Sequence, residues 1–357
     1  MKKNLKKLAN IFPKRRSTSQ DLITESTDEN GLPRITNETV AANREEVLSS
    51  ARKYIYPLQH SKHKIVIISI ALFVTAFIVF FSYCTLALYR FKSASGFLYG
   101  VTQVVPFPVA KAGSDYVSYE NYLFELRHYV HYYQAQQQVN FNSTAGKQQL
   151  AAYKQQALAQ VISDAYVKQL AKEHKISVSS QELNNEITLV RNQNRLGANE
   201  KVFEDVLKEN FGWTLNDFKR SLKQEMLAQK VAATLDTTTQ ARAKAALVQL
   251  QQGVDFGTVA AQYSDDAATK GNGGNYGFLI DQTNRDIPPQ ITSALFALQP
   301  GQTSGIINTG FTLEIVKNIN LQGSQVNAAH IVFTLQNVNT YITPYQAKHK
   351  SHAYIKV

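Results

Sequence analysis

Residues 65–89 form a run of 25 positions without one charged side chain. At 1.5 Å rise per residue, about 20 residues already cross a hydrocarbon core of roughly 30 Å, so the run is long enough to span a bilayer as a single helix. A cleaved signal peptide fits poorly, because the leader is long and the apolar stretch exceeds the usual span of about 7–15 residues. An uncleaved anchor is the expectation. Arg52, Lys53, Lys62 and Lys64 before the run outnumber Arg90 and Lys92 behind it. That bias places the N-terminal side in the cytoplasm and residues 90–357 outside it, in a single-pass arrangement.

Charge divides unevenly around the run. Residues 1–64 carry 13 Lys/Arg against 7 Asp/Glu, a net +6 of the chain's +11, which leaves +5 for the rest. This leader is rich in Lys, Arg, Ser, Thr, Asn and Glu and lacks a sustained apolar period. It reads as a largely disordered basic cytoplasmic tail, with a short helix over residues 38–54. No compact basic helix or nucleic-acid motif accompanies the charge, so no nucleic-acid partner is expected. Membrane topology and anionic lipid at the inner leaflet account for the basic flank better. The single cysteine, Cys84, lies inside the apolar run, which rules out an intrachain disulfide.

Residues 93–235 read as helices. Phe107-Pro108-Val109-Ala110 is an extended entry, since the residue before a proline avoids the helical region. Ser118 then suits an N-cap, and Tyr122, Leu126, Tyr129 and Tyr133 recur on one helical face. That face is either core or, in part, a surface for peptide. The Gln-rich residues 134–138 and the polar residues 140–144 look like a connection. A helix over residues 149–174 follows. Ser179 with Glu182, and Thr214 with Asp217, are capping boxes that open two more, with a short amphipathic helix over residues 202–207 between them.

The order Val161-Ile162, Tyr166, Leu170, Ala171, Ile176, Val178-Ser179, then Phe203-Glu204, Leu207, Gly212, Thr214, Asp217-Phe218 and Leu222 resembles the N-terminal chaperone domain of the SurA/PrsA/trigger-factor group. The resemblance covers roughly residues 105–235. It implies an all-helical SurA N-like domain whose apolar faces hold unfolded segments by burial.

Downstream, Tyr263-Ser264-Asp265-Asp266 leads to Gly273-Gly274-Asn275-Tyr276-Gly277-Phe278 and then to Ala294-Leu295-Phe296-Ala297-Leu298-Gln299-Pro300-Gly301. Physically this reads as an acidic loop, a strand opened by glycines, a helix, a glycine turn and a last strand. A glycine pair lets the backbone take positive φ or approach another segment closely. The three pieces in this order resemble the parvulin family of peptidyl-prolyl cis/trans isomerases. The expected fold class is therefore α+β: one transmembrane helix, the all-helical domain, then a parvulin-like domain over residues 236–335. That last domain would have the FKBP-like superfold, a small antiparallel sheet with helices. Residues 336–357 are expected as a loosely held basic tail.

The family's first strand carries a histidine in an A-R-H-I-L pattern. Nothing before residue 240 matches it, whereas Asn327-Ala328-Ala329-His330-Ile331-Val332-Phe333 does. Two arrangements stay open: a permuted domain, in which this late strand pairs with the strand over residues 312–317, or a truncated second copy. First and last strands are neighbours in parvulins, which favours permutation. Carried over by motif, the resemblance makes His330 and Asp266 polar catalytic groups. Thr312 stands where the family has a second histidine, with Glu314 as the alternative in another register. Ile287, Ile291 and Phe296 are implied as the pocket for the proline ring. The resemblance implies no cofactor, and the remaining histidines lack a carboxylate or cysteine pattern that would make a metal site. It also implies unfolded or newly translocated proline-containing polypeptides as partners.

Overall fold

A computed structural model of the protein describes residues 37–55, 57–194 and 199–357. Most of the expected disordered tail, residues 1–36, lies outside them. Contacts divide the chain into two units, residues 1–82 and 83–357. The first holds α1 (Asn37–Ile55), where a short helix was expected, and most of α2 (Pro57–Thr85). Among the described residues one stretch, Lys64–Arg90, is helical, long and apolar enough to cross a membrane; its most apolar part is not buried in protein, whereas Cys84, Ala87 and Leu88 near its C-terminal end are core residues of the second unit. A helix apolar all round and uncovered by protein has lipid as its natural solvent.

The second unit opens with α3 (Gly96–Val104), β1 (Pro108–Ala112) and β2 (Asp115–Ser118). The helices α4 (Tyr119–Gln137), α5 (Thr144–Glu173), α6 (Ser180–Gln193), α7 (Glu200–Phe211) and α8 (Leu215–Leu235) follow. The caps fall where the sequence puts them. Ser118 accepts from the Asn121 amide, and Ser179–Glu182 and Thr214–Asp217 are complete capping boxes. Tyr122 and Leu126 are fully buried with Tyr119, Val161, Tyr166 and Leu170, so the inner half of the aromatic face of α4 is core. The Gln-rich stretch, expected as a connection, instead continues α4 until Gln138 caps it at φ 52°. Glutamine has ordinary helix propensity, and nothing in that stretch breaks the helix.

Two expectations for this unit need correction. The helical domain is not all-helical, and residues 336–357 are not a loose tail. They form α12 (Asn339–Lys348) and β7 (Ser351–Ala353). β7 pairs antiparallel with β1, giving a three-stranded sheet in the order β2-β1-β7. Ile342 and Ile355 are buried in the same core as Tyr166, whose hydroxyl donates to the His349 carbonyl. Val338, Tyr345 and Val357 pack against the same core, so a few apolar side chains spaced along a polar stretch dock it beside the strand edge.

The remaining elements are α9 (Thr237–Gln251), α10 (Phe256–Tyr263), β3 (Asn275–Ile280), α11 (Pro289–Ala297), β4 (Ile307–Asn308), β5 (Thr312–Gln322) and β6 (Gln325–Thr334). Asp236, not a threonine, caps α9, and Asp255 caps α10. β5 and β6 are a hairpin closed at Gly323, φ 62°, and the antiparallel sheet runs β3-β6-β5-β4. Strand alternation sorts the two faces. Leu313, Ile315, Ala329, Ile331 and Phe333 pack with Ala243, Ala246, Val259 and Ala260 of α9 and α10. Val316, Val326 and Ala328 pack with Ile291 and Leu295 of α11. His330 and Glu314, two residues on from Ala328 and two before Val316, therefore face the α11 side.

Candidate active site

The Ser264-Asp265-Asp266 loop is tied to β6 by its own chemistry. The Ser264 hydroxyl accepts from the Val332 amide at 3.1 Å, and the Asp265 amide donates to the Val332 carbonyl at 2.7 Å. The Asp265 carboxylate accepts from the Thr334 amide at 2.9 Å and from Arg242 at 2.6 and 3.1 Å. Asp266 is left facing inward. Its Oδ2 lies 3.0 Å from His330 Nε2 and accepts from the Thr269 hydroxyl at 2.5 Å, while Oδ1 accepts from the Ala268 amide at 3.0 Å. The Thr269 hydroxyl holds the Asp266 carboxyl below the usual carboxylate range, helped by Ala268 and His330 and opposed by burial.

His330 has a second carboxylate on its other side. Register sets Val316 opposite His330 and Glu314 opposite Val332, so Glu314 is diagonal to the histidine on the same face. Glu314 Oε2 sits 3.3 Å from His330 Nδ1, and the glutamate is buried. Thr312 donates to Glu314 Oε1 at 2.9 Å and shares a 2.6 Å hydroxyl contact with Thr309. Thr312, expected in place of a second histidine, thus reaches the imidazole through Glu314. A neutral imidazole has one N–H, so only the doubly protonated ring can donate to both carboxylates at once.

Sequence reasoning missed Tyr276 and Thr269. The Tyr276 ring lies 4.1 Å, centroid to centroid, from that of His330 at 36°. Burial pushes its phenol well above the ordinary tyrosine value, and the charges of Glu314 and Asp266 push it further. Tyr276 also packs against the cluster holding Ile280, Ile287, Ile291 and Leu295. Ile287 is 4% and Ile291 0% exposed, so both back the wall beneath Tyr276, while Phe296 is half-buried at its margin. The first residue after Gly-Gly-Asn is the position that could have been flagged, because the strand leaves the glycine pair beside β6.

Residues 58–232 match the SurA-like N-terminal domain family and residues 225–320 the PPIC-type PPIase domain family. These two matches show a SurA-like N-terminal domain followed by a PPIC-type rotamase domain. The chain is 28% identical over 211 residues to the foldase protein PrsA of Clostridium botulinum, covering 49% of this chain and 62% of that protein. It is 33% identical over 114 residues to the chaperone SurA of Methylobacillus flagellatus, 31% of this chain and 25% of that protein. Against the periplasmic chaperone PpiD of Escherichia coli the identity is 34% over 94 residues, 26% of this chain and 14% of that protein. The chain thus spans less than two thirds of the length of these curated relatives. β6 follows residue 320 in the sequence yet lies between β3 and β5 in the sheet.

Proposed function

We propose that this chain is a membrane-anchored, extracytoplasmic foldase that isomerises X-Pro bonds in secreted, newly translocated polypeptides. The observation that carries the reading is the Asp266–His330–Glu314 cluster, roofed by Tyr276 and set on the sheet of a rotamase domain. The anchor is the Lys64–Arg90 stretch, crossing once with its N-terminal side in the cytoplasm. Residues 93–235 act as the chaperone domain and residues 236–335 as the isomerase, in a permuted order that puts the histidine strand last. The β3-β6-β5-β4 order supports that permutation.

Rotation about an X-Pro bond faces a barrier of roughly 18–20 kcal/mol because the planar amide is conjugated. No covalent step is needed. A catalyst has to hold the proline ring and favour the twisted amide over the planar one. Here the ring rests against Tyr276 and Phe296, with Ile287 and Ile291 keeping that wall rigid. His330, fixed by carboxylates on both nitrogens, presents a polarised edge to the twisted carbonyl, and Thr312 steadies it through Glu314. In a protease-coupled prolyl-peptide assay on the full chain in lipid nanodiscs, His330→Gln is expected to lower kcat/KM about tenfold, on the scale of one lost charge-assisted hydrogen bond. Asp266→Asn should do the same. Wild-type rates in both variants would remove these residues from the mechanism.

A second reading draws support from the same site: Thr312 stands where the family has a histidine, and Ile287 and Ile291 are closed to solvent. The rotamase domain then only binds peptide, and the chain is a holdase. Suppression of client aggregation with no prolyl isomerisation above the uncatalysed rate selects that reading.

A further inference from the structure

The helical part of the second unit contains a cavity of about 620 Å³ between α4, α5 and α8, within the usual range of about 300–1,000 Å³ for ligand sites. One wall is aromatic. Trp213 stacks on Phe124 at 5.8 Å and 6°, and on His128 at 4.4 Å and 27°. Two half-buried carboxyls, Glu125 and Asp164, line the same cavity. Asp164 accepts from Gln160 at 2.9 Å. Glu125 has no hydrogen bond or ion pair with any described residue.

The nearby cations do not supply the missing partner. Arg220 is spent on Glu120, bidentate at 2.6 and 2.8 Å, with its guanidinium 4.3 Å over the Phe124 ring. Lys168 and Lys223 line the cavity but are exposed, as is Glu225. Burial pushes the Glu125 carboxyl up to about 7, Asp164 adds to the rise, and Arg220 opposes it. Burial raises Asp164 as well, against the opposing pull of Gln160, Lys168, Gln224 and Arg220. A ligand cation between the two carboxyls would relieve both, and the aromatic wall is the surface a guanidinium or ammonium stacks on.

We propose that this cavity is a subsite for one arginine or lysine side chain of a bound polypeptide, held by Glu125 and Asp164 and stacked on the Trp213–His128 wall. The proposal rests on the reading of the helical domain as a polypeptide-binding surface and holds whether or not the rotamase domain turns over. It gives the domain a preference for segments in which apolar residues alternate with single cations, beyond burial of apolar surface alone.

Trp213 is the chain's one tryptophan, so its fluorescence reports on this aromatic wall, which the cavity shares with a smaller neighbouring pocket. The test titrates full-length protein in zwitterionic lipid vesicles with a tryptophan-free, extended peptide carrying one central arginine. The paired probe has citrulline there, matched in shape and uncharged. Arginine peptide is expected to bind at least tenfold more tightly, and Glu125→Gln and Asp164→Asn should each reduce the ratio to near one. Equal affinity of the two peptides in wild type overturns the proposal, as does discrimination that survives in both variants. Aggregation of an unfolded client, followed in parallel, separates the two readings. Suppression that persists without arginine discrimination leaves the chaperone reading intact and sinks only the subsite, whereas loss of suppression in wild type sinks both.

Discussion

Gly274→Ala is expected to destabilise the rotamase sheet by about 3 kcal/mol or more. Gly274 has φ +80°, and a Cβ there would lie 2.3 Å from the His330 carbonyl oxygen and 3.4 Å from Ala260 Cβ. The first contact is with backbone, which cannot rotate away. The strands cannot part either, because the His330 amide donates to the Gly274 carbonyl at 2.8 Å. Left-handed backbone costs an alanine about 1–2 kcal/mol, and overpacking adds roughly 1–3 kcal/mol. Gly277 is the control: its φ is +79°, but a Cβ there meets nothing within 4 Å. Gly277→Ala should lose only the conformational part, about 1–2 kcal/mol. Hydrogen exchange of the β6 amides in the two variants checks this, and the proposed isomerase activity should fall with Gly274→Ala as His330 is displaced. Equal exchange in both variants would show that the close approach does not constrain the sheet.

The same close approach explains what was legible in the sequence. The capping boxes are local devices whose two partners lie three residues apart, so spacing reveals them; the glycine pair and the Ser264-Asp265-Asp266 loop are legible as motifs, although their partners lie on distant β6. His330 was found through its strand, and the hairpin with β5 was geometrically cheap because Gly323 closes it. Glu314 was visible only as an alternative register, although a glutamate between Leu313 and Ile315 already asks for a buried partner. Thr312 was taken from its place in a motif, and motif position does not say which side chain touches which. The pairing of β7 with β1 was not legible at all. It joins opposite ends of the second unit through three exposed residues flanked by scattered apolar positions such as Ile342 and Ile355, and no periodicity carries that information.

Glu125→Gln is expected to make the second unit more stable at pH 8 by roughly 2 kcal/mol, with no gain at pH 4. Burial raises the Glu125 carboxyl from an ordinary 4.5 to about 7, so the folded chain holds that proton more tightly than the unfolded one. The stability this contributes is complete below the unfolded value and is lost as pH rises through the folded one. Above pH 7 the wild type carries the whole penalty of an ionised, unpartnered carboxylate. A tenfold difference in proton affinity between the folded and unfolded chain is worth about 1.4 kcal/mol, and the partial solvent exposure of Glu125 trims the total to roughly 2 kcal/mol. Glutamine keeps the shape and has nothing to ionise. Thermal unfolding of both proteins between pH 4 and pH 8 should therefore give curves that meet at low pH and separate by several degrees at high pH. A gap of equal size at both ends would assign the effect to packing rather than to charge. The proposed subsite adds a second readout: saturating arginine peptide should narrow the pH 8 gap by stabilising wild type more than the variant.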